Sequence, residues 1–401
     1  LLYATQTERE AFAAYSQGVW DINELFSLTV GVRYAYDDVT AEENVFRYTE
    51  SAALPASATR TLAAFDLSLA DFNRLNGGLI TDANNNEVAT ELATNGGVPR
   101  ALSVYRAFQR KDEEVTGRVN LDWNVNDELL MYFSATSGYR SGGYNLVFFS
   151  NTPTYDPEEL IAYEIGYKGQ HFDNTLQLNA SVFFYDYTSI HTTATEFSAL
   201  GSTTTSVIAA PEAEVFGVEA EGLWLVNDSW TLGGNFSFTP SEYTADRYVL
   251  DQADANTPVS VFGTEVDPAT GQLLVSRNLN GNQILQVPEM KYTVWSSYSF
   301  ALNKGATLDV FGLYNWIDEV FYSPFESDAE KADAFGRLDF RLTYTSPDSS
   351  FLVSAFVNNI LDEVGVLQVL RQGEEEFFRH TAGTTVPRMY GLEVTYNMGG
   401  S

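Results

Sequence analysis

Trp230-Thr231-Leu232-Gly233-Gly234-Asn235-Phe236-Ser237-Phe238-Thr239 alternates with a period of two. Trp230, Leu232, Gly234, Phe236 and Phe238 fall on one side, and Thr231, Gly233, Asn235, Ser237 and Thr239 on the other. Successive side chains of a strand point to opposite faces, so such a segment has one apolar and one polar face. The same pattern recurs along the chain. Leu176, Leu178, Ala180 and Val182 oppose Thr175, Gln177, Asn179 and Ser181. Tyr390, Leu392, Val394, Tyr396 and Met398 oppose Gly391, Glu393, Thr395 and Asn397.

A soluble sandwich alternates in the same way, so three further features decide between it and a membrane barrel. The runs span about ten to twelve residues, where soluble strands usually have five or six. A tilted strand crossing a bilayer needs about nine to eleven. Connections alternate between short and long. The short ones fall near Asp21–Glu24, Asn126–Asp127, His171–Asn174, Asn227–Ser229, Leu302–Gly305 and Ser346–Ser350. The long ones are Asp37–Arg110, Ser141–Glu158, His191–Pro211, Tyr243–Leu285, Glu319–Asp333 and Leu361–Thr385. Short periplasmic turns and long extracellular loops are the outer-membrane arrangement. Finally, Trp20, Trp123, Trp224 and Trp230 sit near short turns, and Tyr34, Tyr139, Tyr314 and Trp316 towards the long-loop ends. Rings prefer the water–lipid boundary, so these positions predict two aromatic girdles.

Polar side chains share the opposite face: Arg118, Asn120 and Asp122; Glu164 and Lys168; Glu219 and Glu221; Arg337, Asp339 and Arg341. Charges near the bilayer midplane cost several kcal/mol each, so this face is expected to line a wet interior. The expected fold is all-β: a transmembrane antiparallel β-barrel with about thirteen strands in this chain. The last strand, near Val386–Met398, follows a long loop, which puts the C-terminus on the periplasmic side. The first, near Ala11–Ile22, then lacks an upward neighbour, and an open sheet leaves edges that lipid cannot satisfy.

Composition fits this class. The 401 residues include 54 acidic and 22 basic ones, a formal charge of -32, which argues against a nucleic-acid partner. There is no Cys, so disulfides, thiolate metal sites and Cys nucleophiles are excluded. No apolar run approaches the length of a transmembrane helix. The start, Leu1-Leu2-Tyr3-Ala4-Thr5, carries neither Met nor a basic n-region and reads as a mature or truncated N-terminus.

Several stretches carry a resemblance. Phe133-Ser134-Ala135-Thr136-Ser137-Gly138-Tyr139-Arg140-Ser141-Gly142-Gly143-Tyr144-Asn145 resembles a segment of TonB-dependent receptors, in which a strand enters an extracellular loop. Tyr163–Lys168, Phe216–Glu221, Val287-Pro288-Glu289, Asn358-Asn359-Ile360-Leu361-Asp362 and Pro387-Arg388 are similar to further stretches of that family, in its usual order. The resemblance implies a 22-stranded barrel enclosing an N-terminal plug that recruits TonB. On that basis residues 1–401 are the C-terminal portion of the barrel, with the plug absent. The implied function is TonB-dependent uptake of a scarce, bulky nutrient such as a ferric siderophore. The implied partners are the TonB complex through the plug, outer-membrane lipid and lipopolysaccharide, the barrel-assembly machinery and a small-molecule ligand. The family usually ends on an aromatic residue; here Asn397-Met398-Gly399-Gly400-Ser401 follow Tyr396. A passive porin-like channel and a β-rich surface-binding protein are the competing readings.

No catalytic constellation is legible, and no cofactor is implied. His171 falls in a short turn, and His191 and His380 in long loops, none in a metal-ligand spacing. Gly138, Gly142 and Gly143 lack a following helix and are expected to permit positive φ at a strand end. Tyr139, Arg140, Tyr144 and Asn145 are the candidate ligand-contacting residues, since a guanidinium and rings suit an anionic or aromatic ligand. Leu62–Leu75 is a candidate amphipathic helix in the longest loop, and Glu374-Glu375-Glu376 a solvated acidic run.

Overall fold

The computed structural model describes residues 2–48, 78–81, 87–95, 98–147, 150, 153–197, 203–209, 212–250, 276–371 and 379–398. Leu62–Leu75, Glu374–Glu376 and the Gly399-Gly400-Ser401 tail lie outside these residues.

Thirteen strands form one continuous antiparallel path in chain order. They are β1 (Leu2–Asp21), β2 (Phe26–Tyr48), β3 (Val98–Asn126), β4 (Leu129–Arg140), β5 (Glu158–His171), β6 (Leu176–Thr188) and β7 (Ala213–Asn227), followed by β8 (Trp230–Phe238), β9 (Met290–Ala301), β10 (Thr307–Ile317), β11 (Phe335–Thr345), β12 (Phe351–Asn358) and β13 (Met389–Tyr396). Each neighbour reverses direction, so β1 and β13 run the same way. No ladder joins these two among the described residues.

The short turns fall where expected, and their side chains explain why. Asn23, Asn126 and Asn227 each accept, through Oδ1, the backbone N–H two residues on, at 2.8, 2.9 and 2.9 Å. Asp348 does the same for Ser350 at 3.2 Å. Such side-chain acceptors mimic a backbone turn. Hydrogen bonds from Ser346 and Ser350 hold the Asp348 carboxyl down at about 2. At Leu302–Gly305, Lys304 and Gly305 both take positive φ, 65° and 88°, which suits a tight hairpin.

Register fixes the two faces. Phe133, Ile165, Val182, Val218, Phe238 and Met290 stand opposite one another in a row across six strands. The adjoining row on the other face is Tyr132, Gly166, Ser181, Glu219, Ser237 and Lys291. The apolar face is not buried: Val182 is 45% exposed, Ile165 57%, Val294 53% and Leu392 71%. Leaving a large apolar side chain in water forfeits about 1.5–3 kcal/mol. A handful of them cancels the roughly 5–15 kcal/mol by which folded domains are stable. A face of this kind needs hydrocarbon against it. Trp20, Trp123, Trp224 and Trp230 are exposed on the same face near the short turns, as a lipid-boundary girdle requires.

The polar face is knitted by its own side chains. Asn179 donates to Glu221 at 2.7 Å, Asn120 to Asp122 at 2.8 Å, and Tyr132 to Glu164. Arg341 pairs with Glu393 two strands away at 3.2 Å. Motif glycines sit under rings: a Cβ on Gly166 would enter the Tyr132 ring, and one on Gly217 the Phe183 ring. Both rings lie on the residue directly opposite. Gly217→Val is therefore expected to lower stability by about 1–3 kcal/mol, the usual cost of overpacking. Denaturant titration of the detergent-solubilised protein measures it, and adding Phe183→Ala should recover part of the loss.

Three expectations need correction. The first strand begins at Leu2, not near Ala11. Much of Asp37–Arg110 is strand: β2 and β3 stay paired from Phe26↔Trp123 up to Tyr48↔Ala101. The sequence obscured this because the lipid-side positions turn polar there (Asp38, Thr40, Glu42; Gln109, Lys111, Glu113), as they must once the strands rise into water. Their inner side is packed instead, with Val39, Ala41 and Phe108 buried around the Glu43–Arg106 ion pair at 2.6 Å. Third, the other long connections are not plain loops. Each contains a short hairpin, such as His191–Phe197 with Thr203–Ala209 and Val366–Arg371 with His380–Thr384. Ile190, Ile208, Ala213, Tyr243, Leu279 and Phe325 join three of these connections in a small apolar core above the sheet.

Candidate functional site

The run Tyr139–Asn145 leaves the end of β4 and folds in over the polar face of β1 to β3. Two bonds hold it there. Arg9 donates to Ser141 Oγ, and the Gly142 N–H donates to Asp112 Oδ2 at 3.2 Å. The chain then forms the two-residue ladder of Gly143–Tyr144 with Thr154–Tyr155. Gly142 and Gly143 do not take positive φ; among the described glycines only Gly281 and Gly305 do. Their role is close approach. A Cβ on Gly142 would strike the Tyr155 carbonyl oxygen and the Arg110 side chain, and one on Gly143 the Tyr155 hydroxyl.

Beneath this run lies a cavity of about 490 Å³, lined by Arg9, Arg33, Asp37, Tyr139, Arg140 and Tyr155, among others. Tyr139 and Arg140 thus stand together at the long-loop end of the polar face. Tyr139 does not join the outer girdle; its hydroxyl is buried without a hydrogen-bond partner among the described residues. Arg140 is exposed. Arg9 bridges to Asp37 at 2.6 Å, and Arg110 to Asp112 at 2.7 Å and Asp156 at 3.1 Å.

The other two candidates do different work. The Tyr144 ring stacks on Phe108 at 5.2 Å, with the Arg106 guanidinium 5.3 Å from the Phe108 centroid. Burial pushes the Tyr144 hydroxyl up to about 12, so it stays a neutral phenol. Asn145 is buried and its amide is spent on backbone: Nδ2 donates to the Val207 carbonyl at 2.7 Å, and Oδ1 accepts the Val207 N–H at 2.9 Å. It acts as a ladder rung tying this loop to the His191–Ala209 hairpin. Sequence reading missed Arg9, Arg33 and Tyr155. For Arg9 and Arg33 the signal was present, since both occupy polar-face positions of their strands.

His191 and His171 have local partners. His191 Nε2 lies 2.6 Å from the Asp156 carbonyl oxygen, its ring meets Tyr155 edge-on at 4.9 Å, and its N–H donates to Glu158 at 2.6 Å. His171 Nε2 lies 2.6 Å from the Tyr167 hydroxyl. Among the described residues no group of three or more His, Asp or Glu is arranged to hold a metal ion.

Two further sequence motifs meet at the top of the last strands. Asn359 is fully buried with φ 54°. Its Nδ2 donates to the Glu363 and Val386 carbonyls at 2.8 and 3.3 Å, and its Oδ1 accepts the Glu363 N–H at 3.1 Å. Arg388 closes the same corner, donating through its N–H to Asp362 Oδ1 at 3.0 Å and through Nη2 to Asp362 Oδ2 at 3.2 Å. The Asn359–Asp362 and Pro387-Arg388 motifs are two halves of one lock.

Comparison with known proteins fits this architecture. The pesticin receptor of Yersinia pestis is 27% identical over 140 residues, which are 34% of this chain and 19% of that protein. The probable TonB-dependent siderophore receptor PiuA of Acinetobacter baumannii is 25% identical over 209 residues, 49% of this chain and 24% of that protein. The crystal structure of the ferric yersiniabactin uptake receptor FyuA from Yersinia pestis superposes with a TM-score of 0.65, at 16% identity, over 98% of this chain and 46% of that one. The chain therefore spans about a fifth to a quarter of the curated relatives' length, and under half of that solved chain. A family model described as TonB dependent receptor-like, beta-barrel matches residues 1–360. With a membrane-type sheet, inward polar rows and this match over most of its length, the chain belongs to the β-barrel family of TonB-dependent receptors, which are outer-membrane transporters and not enzymes.

Proposed function

We propose that this chain forms the C-terminal part of an outer-membrane receptor that imports a bulky, scarce nutrient, a ferric siderophore, with energy from TonB. The observation that carries the reading is the cavity under Tyr139–Gly142, roofed by loop hairpins and lined by guanidinium and phenol groups. Tyr139 and Arg140 contact the ligand there, with Arg33 and Tyr155; Tyr144 and Asn145 hold the loops that shape the site. The long loops face outward and the short turns and C-terminus face the periplasm. Because β1 and β13 run in the same direction, they cannot close an antiparallel barrel on each other, and a larger barrel supplies the strands between them. A plug inside that barrel recruits the TonB complex, lipopolysaccharide surrounds the rim, and the barrel-assembly machinery inserts the whole. A relative named as a probable TonB-dependent siderophore receptor supports the ligand class.

Uptake of radiolabelled iron as a siderophore complex, in cells with and without TonB, tests this. Uptake that falls to background without TonB, or in the Tyr139→Ala/Arg140→Ala receptor, is the expected result. Passage that persists without TonB would favour a passive channel.

A further inference from the structure

The lipid-facing surface carries large side chains over most of its extent, but on β6 to β9 it is hollowed. Gly222 on β7 and Gly234 on β8 stand directly opposite each other on that face, and Ala220 pairs with Phe236 in the next row. Leu178 on β6 flanks Gly222 on one side, and Val294 on β9 flanks Gly234 on the other. With Tyr292 they enclose an open groove of about 360 Å³. Glu221, Asn235 and Thr293 also border it, but alternation sends their side chains to the polar face.

A glycine inside a strand weakens it, and it marks a bulge, a bend or a place where a ligand or another backbone comes close. Register runs unbroken through Gly222 and Gly234, so no bulge explains them. On the polar face, rings explain the glycines: Gly166 lies under Tyr132, Gly217 under Phe183 and Gly233 under Trp295. Gly234 also has an internal reason, since its Cβ would lie 2.7 Å from the Thr293 carbonyl oxygen. Gly222 has none; its Cβ would meet nothing nearer than 3.8 Å. The backbone groups of the floor are taken up by the ladders on either side, so the groove suits hydrocarbon and nothing polar.

We infer that this groove seats one acyl chain of a phospholipid from the periplasmic leaflet. The groove is continuous with the lipid-facing surface, which fixes the chemistry of its occupant. Its floor is two strands wide, with strand axes about 5 Å apart, which admits one methylene chain and not the side-chain-covered face of a second barrel. Depth selects the leaflet. Gly234 is four residues from Trp230 in the short-turn girdle, or about 13 Å along the strand. The hydrocarbon core is about 30 Å thick, so the groove begins within the half nearest the short turns. The chain enters past Trp230 and ends against Phe236 and Tyr292. The inference rests on the orientation proposed above, with short turns towards the periplasm, and not on the imported ligand or on TonB.

Photolabelling of the full receptor in phosphatidylethanolamine–phosphatidylglycerol vesicles tests this. The probe is phosphatidylethanolamine with a diazirine at the end of one acyl chain, and labelled residues are read by mass spectrometry. Val119 on β3 is the reference: it is 44% exposed on the lipid face and four residues from Trp123, the same depth as Gly234. Phe236 and Tyr292 should be labelled about tenfold more than Val119, the scale that some ten extra carbon contacts supply. Gly222→Leu fills the groove and should bring them down to the level of Val119; Gly222→Ala, a single methyl, should fall between. Heat-modifiability shows that each variant is folded. Labelling equal to that of Val119, or below it as when a second copy covers the groove, overturns the inference, as does a folded Gly222→Leu receptor that keeps the excess. Excess at Leu178 and Val294 instead, with none at Phe236 and Tyr292, would mean that the chain enters from the opposite leaflet and overturns the periplasmic assignment. TonB-dependent uptake is read separately, so either result can fail without the other.

Discussion

Val182→Arg is expected to destabilise the inserted barrel by about 2–4 kcal/mol, the cost of a cation on the lipid face near the midplane. Val182 lies at the middle of β6, six residues from either end, and is 45% exposed on the apolar face between Ile165 and Val218. In hydrocarbon the guanidinium has no water and no acidic neighbour in its row. Ser181→Arg, one residue away, points to the polar face opposite Glu219 and should change stability by less than about 1 kcal/mol, the scale of an exposed ion pair. Urea titration in lipid vesicles and the amount of heat-modifiable protein in the outer membrane measure both variants. Equal losses would mean that the two faces are not what the register assigns.

Asn359→Ala should cost about 3 kcal/mol, because each buried polar group left without a partner costs roughly 1–3 kcal/mol. The change strands the Glu363 N–H and the Glu363 and Val386 carbonyls. It also removes the side chain that best tolerates a left-handed backbone at φ 54°. Asn359→Asp keeps one acceptor and should lose less. Arg388→Ala, at the half-exposed side of the same corner, should lose only about 1 kcal/mol. The same denaturant titration ranks all three.

What was legible in the sequence follows from which residues feel a strong gradient. Inside the bilayer every second side chain meets hydrocarbon, so Leu176–Val182 and Trp230–Phe238 announce their faces. Turn positions were legible because Asn126 and Asn227 carry the turn chemistry in their own side chains. Above the bilayer the gradient vanishes. The upper halves of β2 and β3 are wet outside and packed inside, and their sequence looks like loop. The site was half legible for the same reason. Tyr139 and Arg140 stand out in a motif, whereas Arg33 and Tyr155 reach the same cavity from other parts of the chain, which only the folded arrangement reveals. Asn145 looked like a ligand contact because it ends the same motif as Tyr139 and Arg140; long-range pairing with Val207 claims its amide instead. The motif glycines were legible as landmarks but not as causes, since the rings covering Gly166 and Gly217 belong to other strands.

The chain contains no cysteine, so single cysteines can be placed without background. Spin labels at Leu178, Val182, Phe236 and Val294, and at their neighbours Asn179, Ser181, Asn235 and Thr293, should report alternating surroundings in lipid vesicles. The first set should collide freely with dissolved oxygen and be shielded from a water-soluble nickel chelate; the second should be shielded from oxygen. Labels at Leu178, Val182, Phe236 and Val294 that oxygen and nickel both fail to reach would place those side chains in a packed protein core and contradict the membrane-facing assignment.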